Sequence, residues 1–276
     1  MSPRFGALLA CLAGLLLLFS WRFDAAPSTP VANHSTGQEP ITVEVLRLAV
    51  PANLRDVWLD AEVEVWKPWL AQQQGFLGRD IYWDAQQEEG RLFIRWRSRQ
   101  EWKAIADEEV EPVQARFVAA VNRATGGDAE DPVPLVSASQ LLLLASERPP
   151  SMPAAKGSAA QGPTIVNMLR QAVPATLRHA WLSAQVNVWK PWLEQQPAYW
   201  GRDVYWDAQQ EEGLLFIRWR SQQEWEAITD EEVGPVQARF VAAINQATGG
   251  NAANPTPPIS TGRLLLLASE TSPVHD

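Results

Sequence analysis

The sequence contains few of the residues that most often mark an active site. Its 276 residues include one cysteine, Cys11, which lies in an N-terminal apolar run. A single cysteine excludes an intrachain disulfide and a cysteine-based zinc site. Of the three histidines, His34 and His275 lie in predicted tails, and His179 aligns with an aspartate of an internal repeat. No glycine-rich phosphate loop, metal-spaced cluster or nucleophile elbow is present. We therefore predict no metal site and no cofactor.

Positive charge is also scarce. Lysine and arginine number 23 against 32 acidic residues, which gives a formal net charge of −9. Nucleic-acid binding needs a basic face that neutralises phosphates, so nucleic acid is excluded as a general partner. The apolar content of 46% and charged content of 20% are typical of globular domains with substantial cores.

Tryptophan, in contrast, is abundant. The chain has 14 tryptophans, and twelve of them fall at equivalent positions of two copies. Residues 41–147 align with residues 164–270 at a constant offset of 123, and about 70% of the aligned positions are identical. A period this long indicates a duplicated domain rather than a solenoid. Repeated bulky residues point first to core packing.

The segments outside the two copies have their own character. Arg4 precedes an apolar run from Phe5 to Phe19, so residues 1–26 are predicted to be a secretory signal peptide or, alternatively, a membrane anchor over residues 5–21. We expect an exported protein, periplasmic or lumenal, or one held at the membrane through this segment alone. Three further segments are predicted to be connectors or a tail: residues 27–40, the Pro/Ala/Gly-rich residues 148–163, and residues 271–276.

Each copy predicts the element order β-α-β-β-α-β. Ile41–Val50 reads as a strand, and Pro51 opens a helix that carries apolar residues at three- and four-residue steps. Pro68 predicts a kink in that helix. A strand–turn–strand hairpin and a second helix follow, and Ser139–Ser146 supplies the last strand. The order is ferredoxin-like, so we predict an α+β fold of two ferredoxin-like domains.

Strand alternation predicts which side of the hairpin meets the other copy. One side carries Asp80, Tyr82, Phe93 and Arg95, and the opposite side is apolar and should lie under the helices. We expect Tyr82 to pair with Phe93, and Asp80 with Arg95, across the strands. We also expect this side to pack on its counterpart, giving an intrachain pseudo-dimeric α/β barrel.

Three runs resemble a known group. They are Glu-Val-Leu-Arg-Leu-Ala-Val-Pro, Trp-Lys-Pro-Trp-Leu and Ile-Arg-Trp-Arg-Ser-Arg-Gln-Glu-Trp. The chain resembles a small uncharacterised bacterial family of the dimeric α/β-barrel superfamily, whose best-known members are the antibiotic-biosynthesis-monooxygenase-like proteins. The resemblance covers both copies and implies ligand pockets between helices and sheet. It says less about activity, because this fold hosts many functions.

The resemblance also implies specific site positions. The haem-degrading branch uses an asparagine on the first strand, a tryptophan on the third and a histidine on the second helix. These positions correspond to Glu44 or Asn167, to Trp96 or Trp219, and to the surroundings of Ala115 or Ala238. Neither copy has a histidine on the second helix, which argues against haem ligation.

Arginines are the first candidate ligand-binding groups. Each copy places three of them on the predicted barrel side: Arg47, Arg95, Arg97, Arg170, Arg218 and Arg220. Convergent guanidinium groups could hold a carboxylate or a phosphate. The favoured alternative is that aspartates of the same face neutralise them as ion pairs.

Aromatic residues are the second group of candidates. Trp66 and Trp189 lie off the main apolar stripe and are candidates for a pocket that takes a small aromatic or apolar ligand, although tryptophans at helical spacing are also typical of a core. Tyr82 and Tyr205 are candidate general bases.

Three functional hypotheses follow. The first is an exported or membrane-tethered small-molecule-binding module with a Trp-rich pocket. The second is a cofactor-independent monooxygenase, for which the candidates are Asn167, Trp219, Trp96, Tyr82 and Tyr205. Haem binding ranks third. Because Glu44 aligns with Asn167, we expect only one copy to keep a ligand site.

Overall fold

The computed structural model describes residues 40–148 and 164–272. The predicted signal peptide or anchor (1–26) lies outside this part of the chain, as do nearly all of the two predicted linkers and residues 273–276. Among the described residues, no helix has both the length and the apolar character required to cross a membrane.

The two halves repeat the same series of elements. In the first half these are β1 Ile41–Ala49, α1 Arg55–Ala61, α2 Lys67–Leu70, β2 Phe76–Asp84, β3 Glu89–Trp96, α3 Arg99–Lys103, α4 Asp107–Thr125 and β4 Leu135–Glu147. In the second half they are β5 Thr164–Ala172, α5 Arg178–Ala184, α6 Lys190–Leu193, β6 Tyr199–Asp207, β7 Glu212–Trp219, α7 Gln222–Glu226, α8 Asp230–Thr248 and β8 Pro258–Thr271.

The eight strands form a closed antiparallel barrel in the order β1-β3-β2-β8-β5-β7-β6-β4. Each half contributes the strand order 4-1-3-2, which is ferredoxin-like. The halves join where β2 pairs with β8 and where β4 pairs with β6. The expectation of two separate sheets packed face to face is corrected in this respect: the edge strands hydrogen-bond to each other, and no edge is left open.

Aromatic side chains fill the interior of the barrel. Tyr82, Phe93, Tyr205 and Phe216 are buried there. The Phe93 and Phe216 ring centroids are 4.7 Å apart, and those of Tyr82 and Phe216 are 5.4 Å apart. Tilted ring contacts of this kind are favourable for aromatic pairs. The predicted burial of the Tyr/Phe side of both halves is confirmed.

The predicted cross-strand register of the hairpin is wrong. Tyr82 lies opposite Arg91, and Asp80 lies opposite Phe93. The turn comprises residues 85–88, with Glu88 in the left-handed region at φ 51°, whereas the expected pairs would require a turn at residues 86–89. The expected contacts form diagonally instead, because side chains two positions apart on neighbouring strands still touch. The Tyr82 and Phe93 rings are 5.5 Å apart.

The predicted helix kink is a π-helical turn. Glu62–Trp66 joins α1 to α2, and Gln185–Trp189 does the same in the second half. Pro68 lies two residues after Trp66, and a proline removes an amide donor and crowds the preceding turn. Arg79 Nη2 donates to the Glu62 carbonyl oxygen at 2.9 Å, and an equivalent bond of 2.8 Å forms in the second half. The same distortion therefore occurs in both halves.

The helices pack on the outside of the barrel around two buried tryptophans. Trp58 and Trp181 are fully buried, and each lies against a glycine of the sheet, Gly90 or Gly213. A Cβ atom at Gly90 would lie 2.6 Å from the Trp58 ring. The close approach of ring to backbone therefore requires glycine at this position.

Candidate functional site

A cavity of about 480 Å³ lies between the outer face of the sheet and the helices of the first half. Strand residues such as Leu46 and Ile94 form its floor, and residues of α4 such as Phe117 form one side. Four tryptophans line it: Trp66, Trp69, Trp96 and Trp102. The cavity is therefore a largely apolar, aromatic-walled site.

The wall formed by the first helical segment is an edge-to-face pair of indoles. The rings of Trp66 and Trp69 are 5.5 Å apart at an interplanar angle of 81°. Trp66 also contacts Phe117, with centroids 6.5 Å apart. Trp66 ends the π-helical turn, so its place beside the cavity agrees with its position off the main apolar stripe. The predicted pocket residue of the first copy is thus one of the lining residues.

Glu44 and Trp96 form the polar centre of the cavity. Glu44 on β1 lies opposite Ile94 on β3, so Trp96, two residues further along β3, lies on the same face of the sheet. Trp96 Nε1 donates to Glu44 Oε2 at 3.2 Å. Burial raises the pKa of Glu44 to about 7, while this hydrogen bond, the Lys103 ammonium and the Trp102 indole oppose the increase. A carboxyl with such a pKa can accept or release a proton near neutral pH.

A second ionic group lies beside the cavity. Arg79 is fully buried; its Nη1 donates to Glu62 Oε2 at 2.6 Å, and its Nε donates to Glu270 Oε2 at 2.9 Å. Glu270 belongs to β8, so this group also connects the halves at the β2–β8 seam. Burial raises the pKa of Glu62, although Arg79 favours its charged form. Two carboxylates share this guanidinium, and the Lys67 ammonium lies 3.9 Å from Glu270 Oε1, so the charges within this group balance.

The second half has the same framework with different charge. Arg202 donates to Gln185 Oε1 at 3.1 Å and to Glu147 Oε1 at 3.2 Å, so its guanidinium is balanced by a single carboxylate. The Trp219 Nε1 atom, equivalent to that of Trp96, is buried without a hydrogen-bond partner among the described residues. The candidate residues Asn167 and Trp219 are therefore not joined as Glu44 and Trp96 are.

The candidate tyrosines lie on the other side of the sheet from the cavity. Tyr82 OH is 3.4 Å from Asp80 Oδ2, and Tyr205 OH is 3.1 Å from Asp203 Oδ2, inside the barrel. Burial and the neighbouring aspartates raise the pKa of both tyrosines above the ordinary value of 10.0. Strand alternation directs these side chains away from the helices. This corrects their candidacy as general bases for a pocket between helices and sheet.

The six candidate arginines do not converge on a ligand site. Five of them pair with carboxylates: Arg95 with Asp80, Arg218 with Asp203, Arg47 with Glu89, Arg170 with Glu212 and Arg97 with Glu101. The sixth, Arg220, lies over the Trp200 ring at 5.9 Å. The proposed anion clamp is thus not formed. Charges brought into a barrel are most readily accommodated as ion pairs, which is the interpretation the sequence favoured.

Sequence reasoning missed Arg148, which it assigned to the linker. Arg148 Nη2 lies 2.6 Å from an oxygen of Asp80 and 2.6 Å from an oxygen of Asp203. Burial alone would raise the pKa of Asp80, but Arg95, Arg148 and Arg218 hold it well below its ordinary range. Arg148 has Thr271 as its counterpart, so the repeat gave no signal for it.

Comparisons with known proteins identify the fold. No protein-family model matches the sequence, and no curated protein matches it. The chain is similar to the crystal structure of a candidate monooxygenase from Lactobacillus acidophilus NCFM, with a TM-score of 0.52 and 11% identity over 85% of this chain and 97% of that one. An anthrone oxidase-like protein gives a TM-score of 0.50 and 14% identity over 85% and 97% of the two chains.

A third similar structure, of a candidate monooxygenase from Fusobacterium nucleatum, gives a TM-score of 0.51 and 10% identity over 84% and 94% of the two chains. With coverage this high, one chain of each protein spans both halves of the barrel. At these identities the likeness concerns the fold. The chain therefore has the fold of dimeric α/β-barrel, monooxygenase-like proteins, with both halves of the barrel in one polypeptide.

Proposed function

We propose that the protein binds a small aromatic or apolar molecule in the cavity of its first half. The observation that carries this proposal is the cavity itself, about 480 Å³ in volume and walled by four tryptophans around Glu44. Sites for small molecules are usually mostly apolar, with a few placed polar groups, and fall in this size range. Indole rings supply large contact areas at low conformational cost.

The proposal includes the cellular setting. The basic start and apolar run of residues 1–26 support an exported protein, or one tethered to the membrane by residues 5–21. Fusing residues 1–40 to a reporter enzyme that is active only after export tests this part. A reporter that stays inactive would refute it.

The binding proposal is tested with an uncharged fluorescent probe, N-phenyl-1-naphthylamine, titrated into the protein. We expect one site per chain, and we expect Trp66→Leu to weaken binding by about tenfold or more, as loss of an aromatic wall does. Trp189→Leu is the matched control, because Trp189 occupies the equivalent place in the second half. Two equivalent sites per chain, or equal losses in both variants, would contradict the assignment to the first half.

A cofactor-independent monooxygenase is the second candidate. The observation that favours it is Glu44, a buried carboxyl beside the Trp96 N–H in an apolar cavity. Such a carboxylate could take the proton of a hydroquinone or anthrone-type substrate and leave an electron-rich anion, the form that reacts with O₂. In that reaction one oxygen atom enters the substrate and the other leaves as water. The substrate supplies all four electrons that O₂ accepts and the two protons of the water, so that SH₂ and O₂ give SO and H₂O.

Oxygen uptake with a dihydroxynaphthalene tests this second candidate. Glu44→Gln should lower turnover about a hundredfold, since general-base catalysis typically contributes at least that factor. Asn167→Ala, in the second half, should leave turnover unchanged if Glu44 is the base, whereas a loss in this variant would support Asn167, the candidate that the resemblance implies. Uptake that is the same in Glu44→Gln and the parent protein would remove Glu44 from the mechanism, and no uptake with any quinol would leave only the binding function.

Haem binding does not fit the residues of the cavity. Haem iron is usually held by histidine, cysteine, methionine or tyrosine. None of these residue types is among those that line the cavity in the described part of the chain. We expect hemin titration to give no spectrum of protein-ligated haem.

A further inference from the structure

The two halves differ most sharply in the charge around the cavity. Among the described residues of the first half, four carboxylates line it and Arg79 is the one cationic lining residue. These carboxylates belong to Glu44, Glu62, Glu130 and Asp131. The aligned residues of the second half are all uncharged: Asn167, Gln185, Ala253 and Asn254.

The carboxylates differ in how far they are available to a ligand. Glu62 is almost fully buried and is held by Arg79. Glu130 and Asp131 are exposed in the loop before β4. Glu44 lies on the floor, 8% exposed, and its one hydrogen bond to a described side chain comes from Trp96 Nε1 at 3.2 Å. Glu44 is therefore the carboxylate that a ligand inside the cavity would meet, and the rim carboxylates would attract a cation toward it.

The aromatic walls favour the same kind of ligand. The face of an indole ring attracts cations, and carboxylate–tryptophan pockets suit ammonium groups. The chain provides an internal example, since Lys103 Nζ lies 3.8 Å from the centroid of the Trp102 ring. Lys103 offsets part of the negative charge. With Glu270 and its partner Lys67 included, three cations (Arg79, Lys103 and Lys67) stand against five carboxylates. The cavity remains electronegative.

We infer that the first-half cavity selects ligands that combine an aromatic group with a cationic nitrogen, arylalkylamines being the chemical class. The ammonium would lie against Glu44, and the ring against the tryptophan walls. The second half, with Asn167 and Gln185 at the matching positions, lacks the groups for this selection. This inference rests on the proposed binding function and specifies its ligand.

Three probes of nearly equal shape test the inference: 1-naphthylmethylamine, 1-naphthylmethanol and 1-naphthoate. Their affinities are measured by isothermal titration at pH 8, against the parent protein and Glu44→Gln. We expect the amine to bind at least about tenfold more tightly than the alcohol, as a charge-assisted hydrogen bond does, and the carboxylate to bind most weakly. In Glu44→Gln the amine and the alcohol should bind with about equal affinity.

Asn167→Glu is the matched variant, because it restores a carboxylate in the second half and should leave the first-half preference unchanged. Equal binding of amine and alcohol, or a preference that persists in Glu44→Gln, would overturn the inference while leaving the binding proposal intact. If none of the three probes binds and N-phenyl-1-naphthylamine does not bind either, the binding proposal fails together with the inference.

Discussion

Glu44→Gln should make the protein more stable at alkaline pH and leave it unchanged at acid pH. The pKa of Glu44 is about 7 in the folded protein, against an ordinary value of 4.5. Between these two pH values the folded state holds a proton that the unfolded chain has released. The free energy of unfolding is therefore highest below pH 4.5, falls as the pH rises from 4.5 to 7, and stays at its lower value above pH 7. A shift of this size corresponds to about 3 kcal/mol of unfolding free energy.

Glutamine removes the charge and keeps the shape and an acceptor oxygen for Trp96. The free energies of unfolding of the two proteins should agree near pH 4.5, and the variant should be more stable by up to about 3 kcal/mol at pH 8. Urea denaturation followed by circular dichroism across this range measures the difference. Burial also shifts the pKa values of Glu62 and Lys103 near the site, but both groups are common to the two proteins and largely cancel in the comparison.

The control is Glu111→Gln, an exposed glutamate of α4, for which we expect a change in unfolding free energy within about 0.5 kcal/mol. The reasoning would be refuted if Glu44→Gln were less stable than the parent protein at pH 8, or if the two curves stayed parallel. Either result would mean that the folded protein holds Glu44 ionised at no cost. The charge of Glu44 would then be stabilised by water or by a group other than the surrounding indoles and Lys103.

Two further predictions concern the barrel. Arg148→Met should destabilise the protein by about 2–3 kcal/mol, because it removes charge-assisted hydrogen bonds to Asp80 and Asp203 while Arg95 and Arg218 remain. The loss should shrink below pH 3.8, where unfolded aspartates become protonated, and urea unfolding measures both effects. Arg263→Met removes an exposed ion pair and should cost under about 1 kcal/mol. Gly90→Ala should cost about 1–3 kcal/mol by forcing a methyl group into the Trp58 ring. Gly234→Ala has open space around it and lies in α8, so thermal unfolding should show a small stabilisation instead.

The fold could be predicted from the sequence because its main signals are local and occur twice. Alternation in the hairpin separated the barrel side from the helix side, and Tyr82 and Phe216 are buried as expected. The strand register was missed by a one-residue displacement of the turn, which Glu88 allows by adopting a positive φ. The closure of the barrel was missed because β2 pairs with β8, which is far away in the sequence; Asp80 and Ser269, for example, are 189 positions apart.

The candidate site was predictable only in part. The alignment of Glu44 with Asn167 marked a real difference between the halves, and the position of Trp66 off the main stripe agreed with its place in the cavity wall. Nothing in the sequence marked Arg79 as a site residue. Its counterpart in the second copy is also an arginine, so comparing the copies shows no difference, and the neighbouring Asp80 was assigned to the barrel side. Its role depends on Glu62 and Glu270, which approach it only in the folded chain.

Joining both halves in one chain is what permits this asymmetry. In a dimer of identical subunits every substitution occurs twice, so a carboxylate added to one cavity would be added to the other. Here Glu44 and Glu62 occur without acidic counterparts, so the second half avoids their desolvation cost. Arg148 follows the same logic at the centre of the barrel: one guanidinium serves both Asp80 and Asp203. An arginine at the position of Thr271 would bring a fourth guanidinium to two aspartates that already have three, so the symmetric arrangement would be the less stable one.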